Sequence, residues 1–297
     1  MKFKKSISLL VVIISILAIL AASYGIFSDQ GEGEFDYTSI YGETVQIHGK
    51  GIYQHDSVSM AAQAIGQDYV TLFLGVPLLL FSLFLLRKGL LKGRLLLTGT
   101  LGYFLYTYAS YSFLSMYNSL FLIYVALMSA SFFAFTLAMM SFDIEKLPLY
   151  FSDRMPVKFL GVFLLFVSFV FGMMWTAKIG FPLMSSTPPS DLQHYTTFVI
   201  QALDLGLVVP VGLLAGILLI LKRPFGYLLA PVIIMKEFTL LTALTAMIFL
   251  QMNAGVKVGY LIIVSVILFN LFILICLFLV IKNINEEPNS ISNELSI

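Results

Sequence analysis

Apolar residues occur along this chain in eight long runs that are separated by short polar segments. The runs cover residues 6–27, 69–86, 95–114, 119–141, 157–177, 195–221, 226–252 and 258–281. Each run is long enough to cross about 30 Å of hydrocarbon as an α-helix, which takes roughly 20 residues. The pattern therefore predicts an all-α fold, a polytopic integral membrane helix bundle with about eight transmembrane helices.

The composition supports the same conclusion and excludes a soluble protein. Of the 297 residues, 59% are hydrophobic and only 11% are charged, and the mean hydropathy is +0.96. Values in this range require lipid as the solvent, so the lipid bilayer is the first predicted partner. The net charge of +1 offers no strongly basic surface, and we expect no nucleic-acid partner.

The basic residues predict the orientation of the helices, because cytoplasmic loops accumulate Lys and Arg. With the N-terminus inside, thirteen of the seventeen Lys and Arg residues lie on the cytoplasmic side. These are Lys2, Lys4, Lys5, Arg87, Lys88, Lys92, Arg94, Lys146, Arg154, Lys158, Lys222, Arg223 and Lys282. The outer loops then hold only Lys50, Lys178 and Lys257. We therefore predict that both termini are cytoplasmic, in a multi-pass protein of the plasma membrane.

The first apolar run has two interpretations. Basic residues precede it and it ends in Ala21-Ala22-Ser23, which is also typical of a secretory signal peptide with its cleavage point. Its length of about 20 residues favours an uncleaved transmembrane helix over a cleaved signal. Cleavage would leave seven helices and an external N-terminus.

Two parts of the chain are distinguished by polarity. Residues 1–282 form a transmembrane helical domain that includes an external loop at 28–67. Residues 283–297 are polar and rich in Asn and Ser, which predicts a disordered cytoplasmic tail.

The external loop has a pattern of its own. Apolar and polar residues alternate over residues 43–53, which predicts a short hairpin that turns at the Gly-Lys-Gly sequence of residues 49–51. An Ala-rich run after Ser57 predicts a helix with Asp56 or Ser57 as its N-cap.

The sixth apolar run contains the most regular polar pattern in the chain. Its members are His194, Thr197, Gln201 and Asp204. They are spaced by three, four and three residues, which places them within about an 80° arc on one helix. At 1.5 Å per residue the last of them lies about 13 Å below the outer end of the helix, near the middle of the membrane. The pattern predicts a polar stripe that leads inward to the carboxylate of Asp204.

The seventh run brings two more charges to the same depth. It enters from the cytoplasm and reaches Lys236 and Glu237 after about ten residues. A lone charge at that depth costs about 2.5 to 3.5 kcal/mol, so we predict an ion pair between Asp204 and Lys236. One carboxylate is left over, which a low-dielectric site tolerates by taking up a proton or a cation. The alternative is a buried ion pair that only fixes helix packing.

The third run carries hydroxyl groups on one face. They belong to Thr100, Tyr103, Tyr106, Thr107 and Ser110. Such a face lines a polar pocket, or it makes the hydrogen bonds between helices that are common in membrane bundles.

Sequence motifs of common enzymes and cofactor sites are missing. The chain has no HExxH, GxSxG or CxxC motif and no phosphate-binding Gly-rich loop with its Lys, and Cys276 is the only cysteine. His48 and His55 belong to the external loop, so no two histidines face each other across the spans as a haem with two histidine ligands requires. We therefore expect no metal and no cofactor, and the sequence favours a protein that is not an enzyme.

Three functions are compatible with these features. The leading hypothesis is an outward-accessible polar site for an ion or small molecule between the sixth and seventh helices, in a transporter or receptor. The candidate residues are His194, Thr197, Gln201, Asp204, Lys236, Glu237, Tyr103 and Tyr106. One alternative is a membrane-embedded enzyme that acts on a lipid with His194, Asp204 or Glu237 as acid or base. The other is a non-catalytic partner subunit that presents its acidic first loop. A continuous polar cavity would favour the leading hypothesis, and a histidine within about 3.2 Å of a carboxylate would favour the enzyme.

Overall fold

The fold is an all-α bundle of long apolar helices. The computed structural model describes residues 2–185, 187 and 189–288. The long helices of this part are α1 (Lys4–Phe27), α2 (Val58–Arg87), α3 (Leu91–Phe113), α4 (Phe121–Met140), α5 (Val157–Ser185), α6 (Val199–Ile220), α7 (Gly226–Asn253) and α8 (Tyr260–Lys282). All of them except α3 are long and apolar enough to cross a membrane. The predicted class, a multi-pass integral membrane protein built from helices, is confirmed.

Helix α3 is less apolar than its neighbours because its outer half is rich in Thr, Ser and Tyr. It packs against α2, α4 and α7, and these helices bury Tyr103, Thr107 and Tyr108. A helix that is surrounded by protein need not be as apolar as one that faces lipid, since its hydroxyl groups find partners within the bundle. The third predicted span is therefore present as α3, and it lies inside the bundle among other helices.

Two groups of buried side chains hold the bundle together. The first joins α1, α2, α3 and α4 to the second half of α7, with residues such as Leu79 and Leu101 at its centre. The second joins the first half of α7 to α5, α6 and α8, with residues such as Leu160 and Ala215. Helix α7 belongs to both groups.

Two helices contain a wide π turn just before a proline. In α2 the π turn covers Thr71–Gly75 and Pro77 follows it, and in α6 the π turn covers Asp204–Val208 and Pro210 follows it. Proline has no N–H for the carbonyl four residues earlier, so regular α-helical bonding is interrupted at these points. The π turn of α6 thus begins at Asp204, the last residue of the predicted polar stripe.

The external loop forms a hairpin, but not the predicted one. Strand β1 (Phe35–Thr38) pairs antiparallel with β2 (Thr44–Ile47) in a two-stranded sheet. The Gly-Lys-Gly sequence follows β2 and lies in a second reversal of the chain, in which the N–H of Gly49 donates to the carbonyl of Gln54 and Ile47 bridges Ser57 in antiparallel fashion. Gly49 has a φ of +68°, and a Cβ there would lie 1.7 Å from the carbonyl oxygen of Gly33. Glycine is required at this position because the two backbones touch. The predicted reversal near Gly49 is therefore present, but the predicted pairing was wrong, because β2 pairs with β1 and not with residues 52–53.

The helix predicted after this loop is present. The side chain of Ser57 accepts a hydrogen bond from the backbone N–H of Met60, which makes Ser57 the N-cap of α2.

The predicted disordered tail, residues 283–297, lies mostly outside the described residues, which end at 288. The part that is described makes contacts with the bundle. A carboxylate oxygen of Glu286 accepts a hydrogen bond from the backbone N–H of Leu91 at 2.6 Å, at the first residue of α3. The backbone of Ile284 pairs with that of Phe151.

Candidate functional site

A cavity of about 280 Å³ lies inside the bundle. Its walls come from α2, α3, α5, α6, α7 and α8, and it extends from the end of the bundle that carries the hairpin to the intramembrane charges. The polar side chains that line it are Asp56, Gln63, Gln67, Tyr106, Thr107, Ser110, Tyr111, Ser115, Ser168, Trp175, Asp204, Lys236 and Glu237. The remaining lining is mainly apolar, with Leu, Val, Ile, Met and Phe side chains.

Asp204 is held in this cavity by two neutral donors. The hydroxyl of Tyr106 on α3 donates to Oδ1 at 2.8 Å, and the indole Nε1–H of Trp175 on α5 donates to Oδ2 at 2.9 Å. Each carboxylate oxygen thus has one protein donor, from two different helices. Both donors are aromatic side chains, so the carboxylate sits against aromatic rings.

The predicted ion pair between Asp204 and Lys236 is not formed. Instead Nζ of Lys236 lies 2.8 Å from Oε1 of the adjacent Glu237 and 4.3 Å from the centre of the Tyr106 ring. The prediction assumed that neighbours on a helix cannot meet because they point about 100° apart. Two long side chains overcome this angle by bending towards each other. Lys236 therefore forms its ion pair within α7. Among the described residues, no Lys, Arg or His nitrogen lies within 4.0 Å of the carboxylate of Asp204.

The outer half of the predicted polar stripe is also absent. Helix α6 begins at Val199, so His194 and Thr197 precede it in a segment where Gln193 has a φ of +55°. Thr197 is exposed, and Nε2 of His194 lies 3.0 Å from the carbonyl oxygen of His55. The helix was predicted to begin too early because an apolar run alone does not mark where its backbone turns into a helix.

Two further candidates are buried without lining the cavity. Gln201 is buried on α6, and Tyr103 is buried on α3. The hydroxyl of Tyr103 accepts a hydrogen bond from Nε2 of Gln67 and shares another with Thr71, both on α2. Tyr103 therefore belongs to the hydrogen bonds between helices that the sequence offered as the alternative to a pocket.

A buried carboxylate that the sequence did not reveal lies beside the cavity. Asp68, which directly precedes the second predicted span, is 1% exposed within α2. Its carboxylate accepts hydrogen bonds from the hydroxyls of Tyr53 at 2.5 Å and Tyr111 at 3.1 Å. Tyr111 also lines the cavity, so one tyrosine separates Asp68 from the candidate site.

Residues 193–195, before α6, are joined by hydrogen bonds to the residues at the hairpin end of the cavity. The hydroxyl of Tyr195 donates to Oδ1 of Asp56 at 2.9 Å, and the hydroxyl of Ser57 donates to Oε1 of Gln193 at 2.6 Å. Asp56 also accepts from the backbone N–H of Met116. Burial raises the pKa of the Asp56 carboxyl from 3.8 to about 6, although these hydrogen bonds act in the opposite direction.

The histidine that would serve a lipid-modifying enzyme is not placed for acid–base work with a carboxylate. The ring of His194 packs on the rings of Tyr195 and Tyr37, with centroids 4.5 and 6.0 Å away. Its hydrogen-bond partner is a backbone carbonyl, and burial lowers its pKa. No described hydrogen bond or ion pair joins it to Asp204 or Glu237.

Comparisons of this chain with models of protein families, with curated proteins and with solved structures give no match. The fold and the cavity together define an integral multi-pass helical membrane protein with an internal, mostly apolar cavity that contains charged groups.

Proposed function

We propose that the protein binds a small molecule from the outer side of the membrane in the cavity between α3, α5, α6 and α7, as a transporter or a receptor does. The observation that carries this proposal is that one cavity connects the hairpin end of the bundle with the charged residues of α6 and α7. The same space is lined by Asp56 and Ser115 at the hairpin end and by Asp204, Lys236 and Glu237 at the depth of the membrane. A concave, mainly apolar space with a few convergent polar groups is typical of ligand sites.

The charges in the cavity support a ligand, proton or cation at Asp204. Lys236 and Glu237 neutralise each other at 2.8 Å, whereas Asp204 has only neutral hydrogen-bond donors. A carboxylate at this depth is costly unless a positive charge or a proton joins it. The binding role is favoured over a lipid-modifying enzyme because His194 bonds to the backbone carbonyl of His55 and to none of the charged groups in the cavity. It is favoured over a purely structural subunit because the bundle leaves a cavity beside its charges.

Two valines of α5 supply a matched pair of variants that test the proposal. Val167 lines the cavity, whereas Val162 is 57% exposed on the outside of the bundle. Val167→Trp places a large ring into the cavity, and Val162→Trp places the same ring in the lipid.

The wild type and both variants are purified in nanodiscs, and bound small molecules are identified by mass spectrometry and then titrated in a thermal-shift assay. A ligand of the folded state raises its apparent stability. We expect one molecule that is retained by the wild type and by Val162→Trp and is lost from Val167→Trp. Equal retention by all three proteins would contradict the proposal. Uptake of the identified molecule into proteoliposomes would then indicate a transporter, and binding without uptake a receptor.

A further inference from the structure

We infer that the ligand of this cavity is an amphiphilic organic cation, a molecule with an ammonium head group and an apolar body, and that the head group binds at Asp204. This inference rests on the proposed function and specifies the chemical class of the ligand.

The first support is the balance of charge inside the cavity. Lys236, Glu237 and Asp204 have a formal sum of one negative charge, Asp56 at the hairpin end is a further acid, and the lysine pairs with Glu237. Another base, Lys178 on α5, has its Nζ 5.4 Å from the centre of the Trp175 ring. Lys178 is paired with Asp191 at 2.5 Å, so it is not available to Asp204. An anionic head group would meet no unpaired base in this cavity, and a cationic one meets an unpaired carboxylate.

The second support is the pair of aromatic rings that hold this carboxylate. Tyr106 and Trp175 donate to its two oxygens from helices on different sides of the cavity, which fixes both rings beside the negative charge. The carboxylate attracts an alkylated ammonium through its charge, and the aromatic rings add to this attraction where the ammonium reaches them. A lysine ammonium already lies near each ring, that of Lys236 at 4.3 Å from the centre of Tyr106 and that of Lys178 at 5.4 Å from the centre of Trp175, so the head group of the ligand binds at the carboxylate beside them.

The third support is the apolar wall that continues from the aromatic rings. Phe171 on α5, Leu240 and Leu244 on α7, and Phe269 on α8 line the same cavity. A small inorganic cation would leave this surface unused, whereas an alkyl or aryl body covers it and gains from the burial of its own surface. The cavity of about 280 Å³ limits the body to the size of a short chain or a few rings.

The fluorescence of Trp175 reports on this site, because Trp175 is the only tryptophan of the chain and its indole N–H donates to Asp204. The protein in nanodiscs is titrated with octyltrimethylammonium, octanol and octanoate below their micelle concentrations while tryptophan fluorescence is recorded. Three proteins are compared: the wild type, Asp204→Asn, and Asp143→Asn as the matched control. Asp143 is exposed and pairs with Lys146 outside the cavity. Thermal midpoints verify that each protein is folded.

For the wild type and Asp143→Asn we expect the ammonium compound to bind about tenfold more tightly than octanol, with octanoate weakest. For Asp204→Asn the difference between the ammonium compound and octanol should disappear, while octanol still binds. Equal binding of octanol and the ammonium compound to the wild type would overturn the ammonium assignment and leave the cavity as a binding site. The assignment also fails if sodium ions, added with octanol, produce the whole Asp204-dependent change. If none of the three compounds alters the fluorescence of the folded wild type, the assignment and the proposed binding role both fail.

Discussion

Lys236 and Glu237, consecutive residues of α7, form an ion pair in which Nζ and Oε1 are 2.8 Å apart. Their side chains are only 10% and 20% exposed, so the pair is largely removed from solvent. The basic group of Lys236 is thus paired within its own helix. Asp204, on the neighbouring helix, has no basic partner within 4.0 Å among the described residues, and this difference between the two carboxylates underlies the proposed ligand site.

A double-mutant cycle on the pair tests this assignment of partners. Glu237→Gln removes the direct partner of Lys236, and Lys236→Met leaves the carboxylate of Glu237 unpaired, so each single change should lower the thermal midpoint. In the double mutant we expect recovery equivalent to a coupling of about 1 to 3 kcal/mol. The comparison cycle joins Lys236→Met to Asp204→Asn and should give a clearly smaller coupling. A larger coupling in the Asp204 cycle would show that the lysine pairs across the helices after all.

That these three charges lie around one space was predictable from the sequence, but their pairing was not. Counting residues from the ends of the apolar runs placed Asp204, Lys236 and Glu237 at one level, and the cavity is lined by all three. The choice between two carboxylates for one lysine depends on side-chain conformation and on competing donors. Tyr106 and Trp175 satisfy Asp204 from other helices, and no spacing along α6 reveals them.

Other differences also arise from contacts between distant segments. Asp68 lies between the external loop and the second predicted span, and its burial follows from the tyrosines of other elements that surround it. His194 fitted a helical spacing, but the helix begins only at Val199. Periodicity predicts which residues share a face once a helix exists, and it does not predict where the helix starts.

The buried carboxylate of Asp68 should be sensitive to the loss of a single hydroxyl. Tyr53→Phe removes the donor to Oδ2 and leaves that oxygen without it in a buried site. An unsatisfied buried polar group costs about 1 to 3 kcal/mol, and more when it is charged. The matched control is Tyr117→Phe, because Tyr117 is 79% exposed. Thermal or denaturant midpoints in the same detergent should fall for Tyr53→Phe and stay unchanged for Tyr117→Phe; equal midpoints for the two variants would mean that the hydroxyl of Tyr53 contributes nothing.

Asp56 should give the stability of the protein a pH dependence in the acidic range. Its pKa is raised from 3.8 to about 6, so between these values the folded protein holds a proton that the unfolded chain has released. The stability from this group is therefore fully present below about pH 4 and is lost as the pH rises through about 6. Burial lowers the pKa of His48 and of His194, and these groups act in the opposite direction.

A single variant, Asp56→Asn, separates the contribution of Asp56 to the pH dependence of stability from that of the histidines. Asp56→Asn keeps an oxygen that can accept from Tyr195 and removes the titration. As the pH is lowered from 7 to 4.5, the thermal midpoint of the wild type should rise relative to that of Asp56→Asn. A difference that is constant over this range would show that the carboxyl is not buried in the way described.

The orientation of the bundle, which follows from the distribution of Lys and Arg, can be tested with two equivalent substitutions. Lys50 lies in the external loop and Lys88 follows α2 on the opposite side, and both are exposed. The only native cysteine, Cys276, is fully buried, and Cys276→Ser removes it from the background. In intact cells an impermeant thiol reagent should label Lys50→Cys and spare Lys88→Cys, while both positions should react after the membrane is permeabilised. Labelling of Lys88→Cys alone in intact cells would invert the predicted orientation and place the hairpin end of the cavity in the cytoplasm, so that the ligand would enter from the inner side.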